Sequence, residues 1–297
     1  MKCDLCPRKC LVDRKKGEKG ICGQTENLKV ARAALHFWEE PCISGDAGSG
    51  AVFFSGCPLH CVFCQNENIA NGTVGKEISL ERLVDIFLEL QEKRANNINL
   101  VTPGHFVPQI VKALDQARKE GLTLPVVYNT SSYETVDTIK MLEGYVDIYL
   151  PDFKYMSPVL SKKYSHAPDY AEVAKAAIAE MVRQTGKAVF VNGDEDNLIL
   201  SGTIVRHLTL PGCMADSMQI VKYLHDTYGD MIYISIMNQF TPLSNLEKYP
   251  ELNRRITDEE YETLVDYAID IGIENGFIQE GDTAEESFIP AFDCEGV

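Results

Sequence analysis

Three cysteines on one short loop are the strongest chemical signal in this sequence. Cys57, Cys61 and Cys64 lie in the string SGCPLHCVFCQN, spaced Cys-x-x-x-Cys-x-x-Cys. A single zinc or iron ion needs four thiolate or imidazole ligands, whereas three cysteines can hold three irons of a 4Fe-4S cubane and leave the fourth iron open. The spacing therefore predicts a cluster with a vacant coordination position for a ligand. A zinc site whose fourth ligand is distant, for instance His60 or Cys42, is the alternative.

Four further cysteines stand close together at the start of the chain. Cys3, Cys6, Cys10 and Cys22 supply four soft ligands within twenty residues, which suits zinc and an iron–sulfur cluster about equally. We expect a structural site that anchors this extension, because metal-binding free energy then becomes folding free energy. An auxiliary cluster that relays electrons is the competing interpretation.

The composition excludes several classes of function. The chain has 297 residues, with 28 Lys plus Arg against 44 Asp plus Glu, and a formal charge of −16. Such an acidic surface repels phosphates, so nucleic acid is not an expected partner. The first residues contain no apolar run, and no stretch of about 18 apolar residues occurs, so we expect no signal peptide, no membrane span and a cytoplasmic protein. Clustered cysteines in that reducing compartment are more often ligands or catalytic thiols than disulfides.

Short apolar runs alternate with amphipathic stretches along the rest of the chain. Strands are predicted at 51–56, 97–101, 126–128, 146–150, 203–210 and 231–237, and a hairpin at 189–200. Helices are predicted at 79–93, 106–119, 133–142, 171–184, 219–228 and from the capping box Thr257-x-x-Glu260 toward residue 274. Six strand–helix units predict an α/β fold with a parallel sheet, an open or partial (β/α)6 TIM-like barrel. The cysteine loop begins at a strand's carboxyl end, where barrels of this kind hold their active sites.

The cysteine loop, with Phe63 just before its last cysteine, resembles that of the radical S-adenosylmethionine (SAM) enzymes. The string is most similar to the branch around pyruvate formate-lyase activating enzyme, and the N-terminal cysteines resemble the opening of uncharacterised iron–sulfur relatives of that enzyme. The resemblance implies a 4Fe-4S cluster that binds SAM at its unique iron, gives it one electron and releases a 5'-deoxyadenosyl radical. It also implies three segments: a cysteine-rich metal-binding extension at 1–48, the partial barrel at 49–240, and a C-terminal helical segment and tail packing on the barrel at 241–297.

The resemblance further assigns cofactor contacts to residues at the strand ends. The implied cofactor-binding residues are Phe63, Thr102, Gly104, Asn129, Thr130, Asp152, Lys154 and Arg206. Asp152 and Lys154 are two apart on a strand and point to the same side, so Lys154 can meet the carboxylate of SAM. Asn129 replaces a family aspartate and puts a cation site there in doubt. His105 stands where the family has an acid; it either belongs to the site or simply begins the following helix.

The fifth predicted strand resembles the corresponding strand of the activating enzymes. Alternation puts Arg206 on the inner face and His207 on the outer face, where a packed histidine is expected. Cys213 follows at the rim and either gives a hydrogen atom to a substrate radical or is a buried small residue. Phe240 belongs to a sequence, Asn-Gln-Phe, that replaces the Pro-Tyr-His of many activators, which weakens the case for glycyl-radical activation.

These features together predict a radical SAM oxidoreductase similar to pyruvate formate-lyase activating enzyme. The expected substrate is a protein or peptide backbone, with a radical reaction on a small molecule as the alternative. An electron carrier or metal-binding iron–sulfur protein without SAM chemistry is a hypothesis of another class. The electron must come from outside, so flavodoxin or ferredoxin is an expected partner. The last segment, including Cys294, carries no functional prediction.

Overall fold

A ten-stranded sheet forms the centre of the computed structural model, which describes residues 2–194, 197–242, 246–279 and 290–297. The strands are β1 (Leu28–His36), β2 (Ser49–Phe54), β3 (Lys76–Ile78), β4 (Ile98–Val101), β5 (Val126–Thr130), β6 (Ile148–Pro151), β7 (Val189–Phe190), β8 (Ile199–Leu208), β9 (Tyr233–Met237) and β10 (Gly276–Ile278). The helices are α1 (Pro41–Ser44), α2 (Glu67–Ala70), α3 (Leu80–Glu92), α4 (Val107–Lys119), α5 (Val136–Lys140), α6 (Pro158–Ser165), α7 (Tyr170–Thr185), α8 (Met214–Tyr228) and α9 (Asp258–Asp270).

The strands follow the order β10-β9-β8-β6-β5-β4-β2-β1-β3, with β7 paired to β8. Neighbours from β2 through β10 are parallel, and each of the six predicted strands is present in this run. The sheet is open within the described residues because β3 and β10 stand at opposite ends. The predicted α/β class and partial barrel are therefore confirmed. The predicted hairpin is also present as the antiparallel pair of β7 and β8, with residues 195 and 196 outside the described residues.

The helices form where an apolar stripe can cover the sheet. Helix α3 starts where the Ser79 hydroxyl accepts a hydrogen bond from the Arg82 amide, and it buries Leu83, Phe87 and Leu90. The capping box that the sequence predicts at Thr257 opens α9. Since every helix that follows a parallel strand returns the chain to the same edge, the carboxyl ends of β2, β4, β5, β6 and β8 meet on one rim.

Six of these strands and helices were not predicted, namely β1, β3, β10, α1, α2 and α6. Strand β1 pairs antiparallel with β2 from Val30 opposite Phe54 to His36 opposite Ser49, and β3 then pairs with β1. Strand β1 was missed because it is covered on both faces and so lacks polar alternation. Strand β10 is a seventh parallel strand inside the segment predicted as helical, and α6 fills the loop after β6.

The C-terminal tail lies against β1. The Ala33 amide donates to the carbonyl of Glu295 at 2.9 Å, and the Cys294 amide donates to the carbonyl of Ala31 at 3.1 Å. Arg32 forms ion pairs with both Asp293 and Glu295. The tail therefore packs on the barrel in residues 290–297, while the division into three domains stays a prediction. None of the helices in the described ranges combines the length and apolarity needed to cross a membrane.

Candidate active site

The three-cysteine loop lines a cavity at the carboxyl end of β2. Cys57, Cys61, Phe63 and Cys64 all border this cavity, whose volume is about 270 Å³, close to the lower end of the range for small-molecule sites, roughly 300 Å³. All three thiols are free. Burial, and then the neighbouring thiols, raise the pKa of Cys57 to about 11 and that of Cys64 to about 12. Cys57 and Cys64 are therefore protonated at neutral pH as free thiols, so metal binding there would release protons.

The N-terminal segment packs against this loop and forms hydrogen bonds with it. The Arg8 guanidinium donates to the carbonyls of Pro58 (2.9 Å), Ser165 (3.0 Å) and His166 (2.6 Å). Gly56, just before the first cysteine, has φ +92°, and a Cβ there would lie 2.5 Å from the carbonyl oxygen of Cys22. Any other residue at this position would push the two segments apart.

His60 and Cys42, the two possible fourth ligands of a zinc site, are not placed to complete one with the three cysteines of the loop. The Nε2 atom of His60 lies 2.8 Å from the Ile21 carbonyl and therefore donates a hydrogen bond to it. Cys42 is buried in another apolar cluster, against Val127 and Ile148, and does not border the cavity.

Polar residues at the ends of four strands line the same cavity. Thr102 follows β4, Asn129 and Thr130 end β5, Asp152 and Lys154 follow β6, and Arg206 lies on β8; all six line the cavity. Gly104 does not border it. A Cβ on Gly104 would collide with the Glu134 carboxylate, so this glycine allows close packing beneath the rim.

Arg206 is the centre of a buried ionic network. Its Nε donates to Asp152 Oδ1 (2.9 Å), Nη1 to Glu39 Oε2 (2.9 Å) and Nη2 to Asn129 Oδ1 (2.7 Å). The Lys154 ammonium donates to Asp152 Oδ2 at 2.7 Å. Burial alone would raise the Asp152 pKa, but Lys154 and Arg206 outweigh burial and lower it. Two cations and two carboxylates thus balance each other at the cavity wall.

Glu39 was not predicted from the sequence. It lies between β1 and α1 and accepts hydrogen bonds from the side-chain amides of Asn99 and Asn129, each at 3.1 Å. This contact explains Asn129: an amide can donate to Glu39 while accepting from Arg206, whereas an aspartate would set a second carboxylate against the first. No spacing or periodicity marks Glu39, because its partners lie on other strands far along the chain.

His105 lies below the rim and does not line the cavity. It belongs to a 3-10 turn, Gly104–Phe106, directly before α4, as the helix-start interpretation expects. Its Nε2 donates to the Ser55 carbonyl at 2.7 Å, and its own carbonyl accepts from Arg14. Burial lowers the His105 pKa to about 3, so the ring is neutral and joins the N-terminal segment to the loop as a structural residue.

His207 and Cys213 are not among the residues that line the cavity. His207 is buried on the outer face as predicted, donating through Nδ1 to the Phe153 carbonyl and accepting at Nε2 from the Ser217 hydroxyl, each at 2.8 Å. Cys213 precedes α8, and burial raises its pKa to about 11. Its position lends no support to hydrogen-atom donation.

The four N-terminal thiols lie near one another. Burial raises the pKa of Cys6 to about 12, with smaller contributions from Glu134, Cys22 and Cys10. The segment is docked on α5, where the Thr138 hydroxyl donates to the Leu5 carbonyl at 2.6 Å. As the side chains lie, no set of three or more His, Cys, Asp or Glu in the described ranges is arranged to hold a metal ion, and this applies to Cys57, Cys61 and Cys64 as well as to the N-terminal cysteines. The prediction of zinc or a second cluster therefore gains no support from this geometry.

His207 makes stability depend on pH. Burial lowers its pKa to about 4, whereas an unfolded histidine titrates near about 6.5. Between these values only the unfolded state binds the proton, so the free energy of unfolding falls as the pH falls from about 6.5 toward 4, by up to about 1.4 kcal/mol per pH unit. Chemical denaturation of wild type and His207→Gln across this window should give a shallower dependence in the variant; equal slopes would contradict a neutral, packed His207.

Comparisons with known proteins agree with this architecture. The profile of the radical SAM superfamily matches residues 51–197. An uncharacterized protein of Methanocaldococcus jannaschii is 27% identical over 272 residues, which cover 90% of this chain and 74% of that protein.

Solved structures with a similar fold include two of Streptococcus suis SuiB. SuiB bound to S-adenosylmethionine gives a TM-score of 0.52 at 13% identity, covering 80% of this chain and 51% of SuiB. SuiB bound to its precursor peptide SuiA gives 0.51 at 12% identity, covering 76% and 47%. HydG, a maturase of the FeFe-hydrogenase, gives 0.51 at 15% identity, covering 78% and 52%. This chain spans about half the length of those proteins, and at such identities the similarity is one of fold.

Proposed function

We propose that this chain is a radical SAM enzyme, since the model of that superfamily matches residues 51–197, and that it binds a 4Fe-4S cluster through Cys57, Cys61 and Cys64 and cleaves SAM reductively. When bound, cluster and SAM together supply a 5'-deoxyadenosyl radical that abstracts a hydrogen atom from a substrate. One observation carries the proposal: three free thiols from a single loop border the cavity that also holds the polar strand ends, and no fourth cysteine among the described residues borders it. This donor set fits a cluster with one open iron.

The ionic network suits the methionyl part of SAM. That group carries an ammonium and a carboxylate, so a wall with both signs of charge complements it better than a wall of one sign. Lys154 and Arg206 offer donors to the carboxylate, while Asp152 and Glu39 offer acceptors to the ammonium. Since Asp152 orients both cations, it preorganises the donors before the cofactor arrives.

Aromatic residues cover one side of the cysteine loop. Phe63 packs edge-on against Tyr155, Tyr164 and Phe240, with ring centroids 5.9–6.5 Å apart. All four rings are at most 5% exposed. A dry surface on this side strengthens electrostatic interactions at the site and protects a radical from solvent.

The substrate we favour is a protein or peptide backbone, as in the activating enzymes that the cysteine loop resembles, with a radical reaction on a small molecule as the alternative. A structure of SuiB, which shares the fold, holds a precursor peptide. A flavodoxin or ferredoxin would donate the electron, and the cytoplasm is the compartment in which such donors and reduced thiols occur.

Anaerobic reconstitution tests the proposal. Wild-type protein reconstituted with iron and sulfide, then mixed with dithionite and SAM, is expected to form 5'-deoxyadenosine, and SAM is expected to change the electron paramagnetic resonance (EPR) signal of the reduced cluster. An electron carrier of the alternative class would take up the cluster but leave its spectrum unchanged and bind no SAM in calorimetry. That result would contradict SAM cleavage.

We also propose that Cys3, Cys6, Cys10 and Cys22 bind a structural zinc ion, with an electron-relay cluster as the competing assignment. Their thiols would have to turn toward a common centre, and Gly20 gives room, since a Cβ there would lie 2.8 Å from Cys10 Sγ. Protein purified without oxygen should contain about one zinc ion besides about four irons, as tetrathiolate zinc and one cubane require. Cys22→Ala should lose the zinc and keep those irons. About eight irons without zinc would favour the relay, and neither metal at this site would contradict both assignments.

A further inference from the structure

Helix α6, which the sequence did not predict, brings a hydroxyl group to the cysteine loop. The Ser165 Oγ donates to Cys61 Sγ at 3.0 Å, and the Val62 amide donates to the Tyr164 carbonyl at 2.9 Å. Ser165 is fully buried. The last turn of α6 therefore contacts both the backbone and the central sulfur of the loop.

A second hydroxyl fixes the direction of this hydrogen bond. The Tyr155 hydroxyl lies 2.7 Å from Ser165 Oγ. Ser165 has one proton, so when that proton points to Cys61 sulfur, the Ser165 oxygen is free to accept the proton of Tyr155. Tyr155 is itself fully buried, with its ring edge-on to Tyr170 at 5.4 Å. The result is a chain Tyr155 to Ser165 to Cys61 in which every donor has an acceptor.

Arg8 fixes the other side of the same turn. Its guanidinium binds the carbonyls of Ser165 and His166 at the end of α6 and the carbonyl of Pro58 inside the cysteine loop. A cation at a helix C-terminus is favourable because the last carbonyls lack partners within the helix. Loop and helix are thus held together independently of the Ser165 hydroxyl, so removing that hydroxyl should leave the backbone in place.

We propose that Ser165 is a positioning residue that tunes the cluster held by Cys61, raising its reduction potential through the hydrogen bond to sulfur. The inference rests on the proposed function. Reduction adds negative charge to the cluster and its sulfurs, so a donor aimed at a ligating sulfur stabilises the reduced form more than the oxidised form, and burial strengthens the effect. Tyr155 acts through Ser165 by keeping its proton directed at sulfur.

The test is a redox titration of the anaerobic holoprotein followed by EPR. Ser165→Ala should lower the midpoint potential; near the wild-type midpoint, the ratio of reduced to oxidised cluster should fall by about tenfold, equal to about 59 mV for one electron. Tyr155→Phe should lower the ratio by a smaller factor. Ser161→Ala is the matched control, because Ser161 is equally buried in α6 but donates to Pro158. Its potential should equal that of wild type.

The outcomes separate this inference from the proposed function. If wild type takes up no cluster, the proposed function fails. If Ser165→Ala binds the cluster with an unchanged potential and an unchanged EPR spectrum, the inference is overturned while the proposed function stands. If Ser165→Ala loses the cluster, Tyr155→Phe provides the test, because that variant keeps the serine. An unchanged reduction potential in Tyr155→Phe then overturns the inference.

Discussion

Replacing Cys61 with alanine is expected to reduce 5'-deoxyadenosine formation by at least about a thousandfold, the scale of loss when a residue of an interdependent catalytic set is removed. Cys61 is the central thiol of the loop and the acceptor of the Ser165 hydrogen bond. Without it, two thiols remain beside the cavity, which cannot hold three irons. The measurements are product formation with dithionite and the iron content of the reconstituted protein.

Cys294→Ala is the matched control for that loss. Cys294 is a free and partly exposed cysteine like Cys61, but it lies in the C-terminal tail against β1. It should keep the iron and the activity of wild type. Full activity in Cys61→Ala would show that the loop does not hold the catalytic cluster, and an equal loss in both variants would point to general oxidation damage instead of a ligand role.

Replacing Arg206 with methionine is expected to lower the free energy of unfolding by about 3–5 kcal/mol, because it leaves buried carboxylates without their partner. The side chains of Asp152 and Glu39 are 14% and 8% exposed, so water cannot replace the guanidinium. The Asp152 pKa is held low by Lys154 and Arg206 against burial and should rise in the variant. The same substitution should weaken SAM binding, since it removes a cation from the cavity wall. Urea denaturation and calorimetry measure the two effects.

Arg254→Met is the control that shows how much stability is lost when an exposed ion pair, instead of a buried one, is removed. Arg254 pairs with Glu260 at 2.6 Å, yet 44% of its side chain is exposed, so its removal should cost less than about 1 kcal/mol. The double variant Arg206→Met with Asp152→Asn should be less destabilised than the sum of its single variants, because one unpaired charge is removed. Similar losses for Arg206→Met and Arg254→Met would contradict a buried network.

Local sequence patterns predicted the cysteine loop and several of the residues around the cavity. Cys57, Cys61 and Cys64 are close together in the fold, as their spacing predicts, because one short loop carries all three. The resemblance to the activating enzymes assigned Asp152, Lys154 and Arg206 to the cofactor pocket, and all three line the cavity because strands of a parallel sheet end on the same rim. His207 was assigned to the outer face by alternation alone.

What the sequence by itself determined is therefore the run of strands and helices, the cysteine loop and the residues at the strand ends, since each depends on neighbours within a few positions. The contacts of Arg8, Glu39 and Ser165 were decided only by the tertiary structure. Each of these contacts joins residues 50 to 167 positions apart in the chain. A single arginine, glutamate or serine forms no periodic pattern from which such a distant contact could be predicted. The physical reason is that hydrogen bonds and ion pairs depend on distances in space, which only the packed sheet and its docked N-terminal segment define.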